Sequence, residues 1–119
     1  MAPEALAYRS AYGYRLFWAR RYEEAIAAFE AALALDPDAT SPRYFIGRCL
    51  VELGRHGEAR DTFAAARALS PEDLNLLGAE AYASAVAGRR AEAEAALAEL
   101  ERWVARGYPL SSQLAGLYT

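Results

Sequence analysis

The sequence predicts an all-α domain in which one helical hairpin is repeated, and two observations lead to this fold class. The first is a set of small, aromatic and proline positions that return at a constant interval: Ala25, Phe29, Ala32 and Pro37 reappear as Ala59, Phe63, Ala66 and Pro71. The interval is about 34 residues, which is typical of stacked helix-turn-helix repeats. The second is an Ala-rich composition, 55% apolar with only five prolines, which favours closely packed helices over strands.

Length and charge limit the domain count and the kinds of partner. A chain of 119 residues is the size of a single domain. Its 13 basic and 16 acidic residues are interleaved and give a net charge of −3. This pattern leaves no basic stripe for a phosphate backbone, so nucleic acid is not expected as a partner.

The apolar residues are too dispersed to predict a membrane protein. No apolar run approaches the roughly 18 residues of a membrane span, and Glu4 stands where a signal peptide would be basic. We therefore expect no membrane insertion and a cytoplasmic location. The single cysteine, Cys49, cannot form an intrachain disulfide and is interpreted as a small packing residue.

The first predicted helix runs from Pro3 to about Ala19, with apolar residues at helical spacing. Gly13 lies inside it, where glycine is about 1 kcal/mol less favourable than alanine. The useful explanation is close approach of a neighbouring helix. The second helix is predicted over Tyr22–Leu35 and ends before Pro37.

The third helix is predicted to begin with Ser41 as its capping residue and Pro42 in the first position, and to reach about Leu53. Gly54 then suits a left-handed residue after the helix. The fourth helix is predicted over residues 56–69. The repeat therefore consists of two helices joined by a short turn.

The fifth helix is predicted to begin at Ser70-Pro71 by the same logic and to reach about Ala87, where Gly88 ends it. The sixth is predicted over residues 91–106 and is closed by Gly107. In the tail, Leu114, Ala115 and Tyr118 repeat the spacing of a first helix, so residues 111–118 are predicted to form a C-terminal capping helix.

The repeated residue pattern is most complete in the second hairpin. It resembles the pattern of the tetratricopeptide repeat family, which is W-x-x-L-G-x-x-Y, then A-x-x-x-F, then a proline. The matching residues there are Ile46-Gly47, Leu50, Gly54, Ala59, Phe63, Ala66 and Pro71. The resemblance gives three repeats, at about 6–39, 40–73 and 74–107, plus the capping helix, in one domain over 1–119.

This sequence departs from the family pattern at several positions. The family's Trp is replaced by Arg9, Arg43 and Leu77 in successive repeats. In the third repeat, Glu80 and Ser84 stand where apolar residues belong. We therefore expect the fifth helix to be rotated or loosely packed.

The resemblance implies a right-handed superhelix of about seven helices, whose first helices line a concave groove for a protein or peptide partner. Family groove positions carried across from the pattern are Tyr14, Phe17, Trp18, Tyr44, Phe45, Arg48, Val51, Glu52, Asn75, Tyr82 and Val86. The partner-binding residues that we select from them are Tyr14, Phe17, Trp18, Tyr44, Arg48, Glu52, Asn75 and Tyr82. The alternative for Phe17, Phe45 and Val51 is packing between adjacent first helices.

One class of partner is not expected. Some family members bind the acidic C-termini of heat-shock chaperones with a basic clamp. The clamp positions here hold Ser10, Tyr14, Phe45, Asn75 and Ala79, which carry no positive charge.

Recognition rather than catalysis is the expected function. The sequence has no glycine-rich phosphate loop and no nucleophile with a partnered histidine, and its lone His56 lacks companions at metal-ligand spacing. We expect neither an enzyme nor a cofactor or metal site. The leading hypothesis is a peptide-binding module, in a specific version a small secretion-type chaperone. The alternative is a structural subunit or a fragment of a larger regulator, and self-association is left open.

Removing the residues after Gly107 is predicted to reduce solubility or stability, because Leu114 and Tyr118 would cover the apolar face of the sixth helix. The expected loss is a few kcal/mol, on the scale of two buried large side chains. Thermal melting and size-exclusion chromatography of the truncated chain test this prediction. An unchanged melting temperature with a monomeric elution profile would exclude a capping role.

Overall fold

The computed structural model describes residues 3–108, and all regular structure in that range is α-helical. The helices are α1 Pro3–Trp18, α2 Tyr22–Leu35, α3 Thr40–Glu52, α4 His56–Leu69, α5 Leu74–Val86 and α6 Arg90–Ala105. Each helix packs against the next one along the chain, and α1 also contacts α3. The predicted helical-repeat fold is confirmed, while the capping helix predicted at 111–118 lies outside the described residues.

The turn between the two helices of each repeat requires a left-handed residue. Gly54, as predicted, has φ of 79° in this turn, and so has Gly88. Gly107, which follows α6, is also left-handed, with φ of 96°. Arg20 stands one repeat period before Gly54 and has φ of 63°. The first repeat therefore makes the same turn with a side chain that only rarely adopts this conformation.

The predicted cap of the third helix is wrong. α3 begins at Thr40, with Ala39 as its capping residue and no side-chain cap bond. Ser41 is already inside the helix, and its Oγ lies 2.7 Å from the hydroxyl oxygen of Tyr14 on α1. A hydroxyl that suits a local cap is used instead to join the first helices of two repeats.

The predicted start of the fifth helix is also wrong. Ser70 ends α4, and Pro71 belongs to the turn that follows. The carboxylate of Asp73 caps α5 by accepting hydrogen bonds from the backbone N–H groups of Asn75 and Leu76. Asp73 has the reach of a capping residue because it directly precedes the helix, whereas Ser70 lies further back along the chain.

The core repeats one contact between a phenylalanine and a glycine. Phe29 is fully buried, and its ring lies against Gly13 so closely that a Cβ there would be 2.7 Å from it. Phe63 occupies the same place on Gly47. Glycine inside these helices is therefore explained by close approach, as predicted. Cys49 is buried in the same core, and this burial raises the pKa of its thiol to about 11.

The buried part of the interface between repeats one and two is mainly apolar. Ile26 and Leu33 of α2 pack against the core cluster that contains Ile46 of α3. One repeat period later, the corresponding positions hold Arg60, Arg67 and Glu80. The next interface therefore has charged residues at the positions where this one has hydrocarbon.

The interface between repeats two and three is ionic. Glu80 on α5 has a side chain only 5% exposed, and two arginines of α4 bind it. Arg67 Nε lies 2.7 Å from Glu80 Oε2, and Arg60 Nη2 lies 3.2 Å from Oε1. The hydrogen bond to Glu80 raises the pKa of Arg67 above its usual value. Arg67 also pairs with Glu99 of α6 at 2.8 Å, so the cluster connects three helices.

The fifth helix is not loosely packed, contrary to the expectation from the sequence, because its buried carboxylate is paired with arginines. A carboxylate is expensive to bury unless it is paired, and here two guanidinium groups pair with it. Glu80 and Ser84 are both buried, as are Leu76 and Leu77 of the same helix. The charge of Glu80 is matched by the arginines of α4, whereas the buried Ser84 hydroxyl has no hydrogen-bond partner among the described residues.

Substituting glycine with alanine should have opposite effects at two positions. Gly47→Ala places a methyl group against the buried Phe63 ring and should destabilise the fold by about 1–3 kcal/mol. Gly57→Ala lies in the first turn of α4, where the added methyl group contacts only the flexible end of Arg89. This substitution should stabilise the fold by about 0.5 kcal/mol. Urea unfolding of both variants measures the difference. Equal effects at the two sites would contradict the close-packing explanation.

Replacing the ionic interface with the apolar residues of the preceding one should be tolerated. Glu80→Ala removes the buried carboxylate that Arg60 and Arg67 share, while Glu92 and Glu99 still pair with them, and should destabilise the fold by about 1–3 kcal/mol. The triple variant Arg60→Ile, Arg67→Leu, Glu80→Ile copies Ile26, Leu33 and Ile46. Because apolar replacements of buried ion pairs are often neutral or stabilising, its free energy of unfolding should be close to that of the original chain. A triple variant less stable than Glu80→Ala would contradict the equivalence of the two interfaces.

Candidate functional site

The selected residues of the first two repeats lie together on α1 and α3. We call this group the α1–α3 aromatic cluster and define it as Tyr14, Phe17, Tyr44, Phe45 and Arg48. The two helices are the first helices of repeats one and two, so the cluster spans a repeat boundary. All five residues belong to or pack against one hydrophobic core.

Phe45 is at the centre of this cluster. Its ring centroid lies 4.8 Å from that of Tyr14, 5.4 Å from that of Phe17 and 5.3 Å from that of Tyr44, each time in an edge-to-face arrangement. It also stacks on the buried Phe29 at 5.7 Å. Edge-to-face geometry is the favourable one for aromatic pairs, so Phe45 holds the surrounding rings in defined positions.

Arg48 lies over the rings. Its Cζ atom is 4.9 Å from the centroid of Phe17, 5.5 Å from that of Phe45 and 5.8 Å from that of Tyr44. Within residues 3–108 its guanidinium makes no ion pair with a carboxylate. Cation–π contact orients the group while leaving its N–H donors available to another molecule.

The predicted residues differ in how far they reach solvent. Phe17 is buried, whereas Tyr14, Tyr44 and Arg48 are half-buried. Trp18 is 70% exposed at the end of α1, and its ring contacts that of Phe17 at 5.1 Å. Trp18 therefore extends the cluster onto the open surface.

The remaining predicted residues lie outside the cluster. Glu52 is exposed in the last turn of α3. Asn75 is exposed in the first turn of α5, where its backbone N–H donates to Asp73. Tyr82 is about half exposed on α5 and makes no ring contact with another described residue.

Two residues of the site have roles that the sequence pattern does not predict. Phe45 is a groove position in the family pattern but is absent from the selected set, although it contacts three of the selected residues. Ser41 is interpreted from the sequence only as a helix cap, although it holds the Tyr14 hydroxyl. The available signal is the helical spacing of Ser41, Phe45 and Arg48, which places all three on neighbouring turns of α3.

Neither a metal site nor a membrane-spanning helix is found among the described residues. No group of three or more His, Cys, Asp or Glu side chains within residues 3–108 could hold a metal ion. Over the same range, no helix is long and apolar enough to cross a membrane.

Within residues 3–108, three stacked helical hairpins whose first helices carry the aromatic cluster define a helical-repeat solenoid. Residues 16–73 match the family model described as tetratricopeptide repeat. The resemblance found in the sequence is thereby confirmed over residues 16–73, which extend from the end of α1 to the residue before α5. No curated protein gives a significant match to this sequence.

Solved structures of similar fold agree with this assignment. MamA MSR-1 aligns with a TM-score of 0.78 at 24% identity, over 90% of this chain and 62% of that one. The chain spans 60–62% of the length of the MamA AMB-1 and MSR-1 structures that it matches. Since all these identities are below 25%, the similarity shows the fold.

Two further structures contain a bound peptide. The Yersinia enterocolitica type III secretion chaperone SycD, in complex with a peptide of the translocator YopD, aligns with a TM-score of 0.83 at 18% identity, over 98% of this chain and 86% of that one. The first tetratricopeptide domain of Spaghetti (RPAP3), bound to an HSP90 peptide, aligns with a TM-score of 0.82 at 15% identity, over 98% of this chain and 89% of that one.

Proposed function

We propose that the chain is a non-catalytic protein-interaction module that binds a peptide segment of a partner protein at the α1–α3 aromatic cluster. The observation that carries this proposal is the position of Arg48. Its guanidinium lies over three aromatic rings, the side chain is half-buried, and it has no carboxylate partner within residues 3–108. A fixed cation on an aromatic surface is a frequent composition of binding hot spots.

The cluster combines two kinds of contact that a peptide needs. Half-buried Tyr14 and Tyr44, together with exposed Trp18, offer ring surface to apolar side chains. Arg48 offers paired N–H donors to a backbone carbonyl or a carboxylate. Because ring contacts already restrict the guanidinium, less side-chain entropy is lost when a partner binds.

The proposed partner segment is largely apolar and extended or helical, with an acceptor placed for Arg48. Glu52, Asn75 and Tyr82 would contact its more distant parts, since the family's groove follows the first helices. A highly acidic C-terminal peptide is disfavoured because uncharged residues occupy the clamp positions, among them Ser10 and Ala79. The similarity to RPAP3 with its HSP90 peptide does not change this, since it concerns the fold.

A more specific form of the proposal is a small cytoplasmic chaperone that keeps an apolar partner soluble before export. It is suggested by the fold similarity to the chaperone SycD over 98% of this chain, which at 18% identity concerns the fold as the RPAP3 similarity does. The mild negative net charge and the aromatic cluster are compatible with such a role. Co-purification of a small hydrophobic protein with the chain would distinguish a chaperone from a general scaffold.

Substitutions in the cluster should weaken binding of a peptide taken from a partner identified by affinity purification and mass spectrometry. Tyr14→Ala, Tyr44→Ala and Arg48→Gln should each reduce affinity by about 1–3 kcal/mol, the range of hot-spot truncations. Glu94→Ala, on the outward side of α6 where it pairs only with Arg90 among the described residues, is the matched control and should have little effect. Isothermal titration of the folded variants measures these differences.

The free energy of unfolding of each variant must also be measured, because Tyr14 contacts the core ring of Phe29 and Tyr44 contacts that of Phe63. Arg48→Gln is the most direct variant, since it removes the charge and keeps most of the side chain. If all four variants bound the peptide equally, the partner would bind elsewhere on the repeats.

A further inference from the structure

A second surface, far along the chain from the aromatic cluster, has the composition of a binding site. We call it the α4–α6 pocket; it is lined by Arg67, Pro71, Glu99, Arg102, Trp103 and Arg106. Its volume is about 350 Å³. The pocket lies between the ends of α4 and α6, the second helices of repeats two and three, and shares no residue with the α1–α3 aromatic cluster.

The pocket has more positive than negative charge, although the chain as a whole is acidic. It contains three guanidinium groups and one carboxylate, Glu99. That carboxylate already pairs with Arg67, which also binds Glu80. Arg102 and Arg106 make no ion pair within residues 3–108. Two cations at the C-terminal end of α6, Arg102 in its last turn and Arg106 directly after it, are therefore available to an anion.

Trp103 gives the pocket a flat aromatic wall. The indole is half-buried, and the Cζ atom of Arg106 lies 4.9 Å from its ring centroid. Tyr108 contacts the same indole at 4.8 Å between centroids, at an angle of 84°. The ring is thus held from one side by Tyr108, and Arg106 is held over it as Arg48 is held in the aromatic cluster.

We propose that the α4–α6 pocket binds an acidic peptide segment in which two carboxylates are separated by one residue. Residues 102 and 106 are four positions apart, a rise of about 6 Å along a helix. Side chains at positions i and i+2 of an extended peptide point to one side and are about 6.6 Å apart. A Glu-x-Glu segment can therefore place one carboxylate on each free arginine while its stems contact Trp103 and Pro71.

Affinity at this site is expected to be modest and strongly dependent on salt. Arg102 and Arg106 are exposed, and exposed ion pairs are screened by ions over about 8–10 Å at physiological ionic strength. The contribution of the pocket would therefore be largest when a second part of the same partner is bound in the groove, which raises the effective local concentration of the acidic segment.

The test uses the full chain with Trp18→Phe, which leaves Trp103 as the only tryptophan. The probe is the capped peptide Gly-Glu-Leu-Glu-Gly, titrated at low salt while Trp103 fluorescence and its indole N–H resonance are recorded. Saturable changes in both signals are expected. Arg102→Gln with Arg106→Gln should weaken binding at least about fivefold, since charge-assisted hydrogen bonds to both arginines are lost. Arg90→Gln, on the same helix with a 90% exposed side chain, should not weaken it.

Two controls decide whether the ligand is an acidic peptide. The peptide Gly-Gln-Leu-Gln-Gly should not bind measurably, and inorganic phosphate at equal ionic strength should bind more weakly than the acidic peptide. Equal binding of either control would overturn the proposal, as would an unchanged affinity in the double arginine variant or the absence of any Trp103 signal. Tyr44→Ala should leave peptide binding here unchanged, so failure of this site and failure of the groove are distinguishable.

Discussion

The contact between a buried phenylalanine ring and a helical glycine sets the spacing of the two helices in each of the first two repeats. Phe29 on Gly13 and Phe63 on Gly47 are the same contact, one repeat period apart. In the third repeat, the corresponding positions hold Leu97 and Ala81, which belong to one cluster. Leu97 is smaller than the phenylalanines and Ala81 is larger than the glycines, so each pair fills a similar volume. This is expected because protein interiors are packed to nearly constant density.

The two interfaces between successive repeats are stabilised by different kinds of contact. Between repeats one and two the facing residues are apolar, whereas between repeats two and three Glu80 is paired with Arg60 and Arg67. Both solutions bury the surface between hairpins. The ionic one adds specificity, since an apolar helix in place of α5 would remove Glu80, the buried carboxylate that two partly buried guanidinium groups share.

The candidate sites follow from the same architecture. Phe45 packs between repeats, orients the half-buried Tyr14 and Tyr44, and lies beneath Arg48. The family pattern could predict that these positions face a groove, because it repeats with the helices. It could not predict which ring would become the centre, since this depends on the distance between α1 and α3.

The sequence by itself determined the period, the number and order of the helices in residues 3–108 and the left-handed turns at Gly54 and Gly88. These features depend on local spacing and backbone preference, which a single chain segment contains. Only the tertiary structure decided that Ser41 bonds Tyr14 and that Glu80 is buried between arginines. Those partners lie 13 to 27 residues apart on different helices, so helix packing, rather than local pattern, brings their polar groups together.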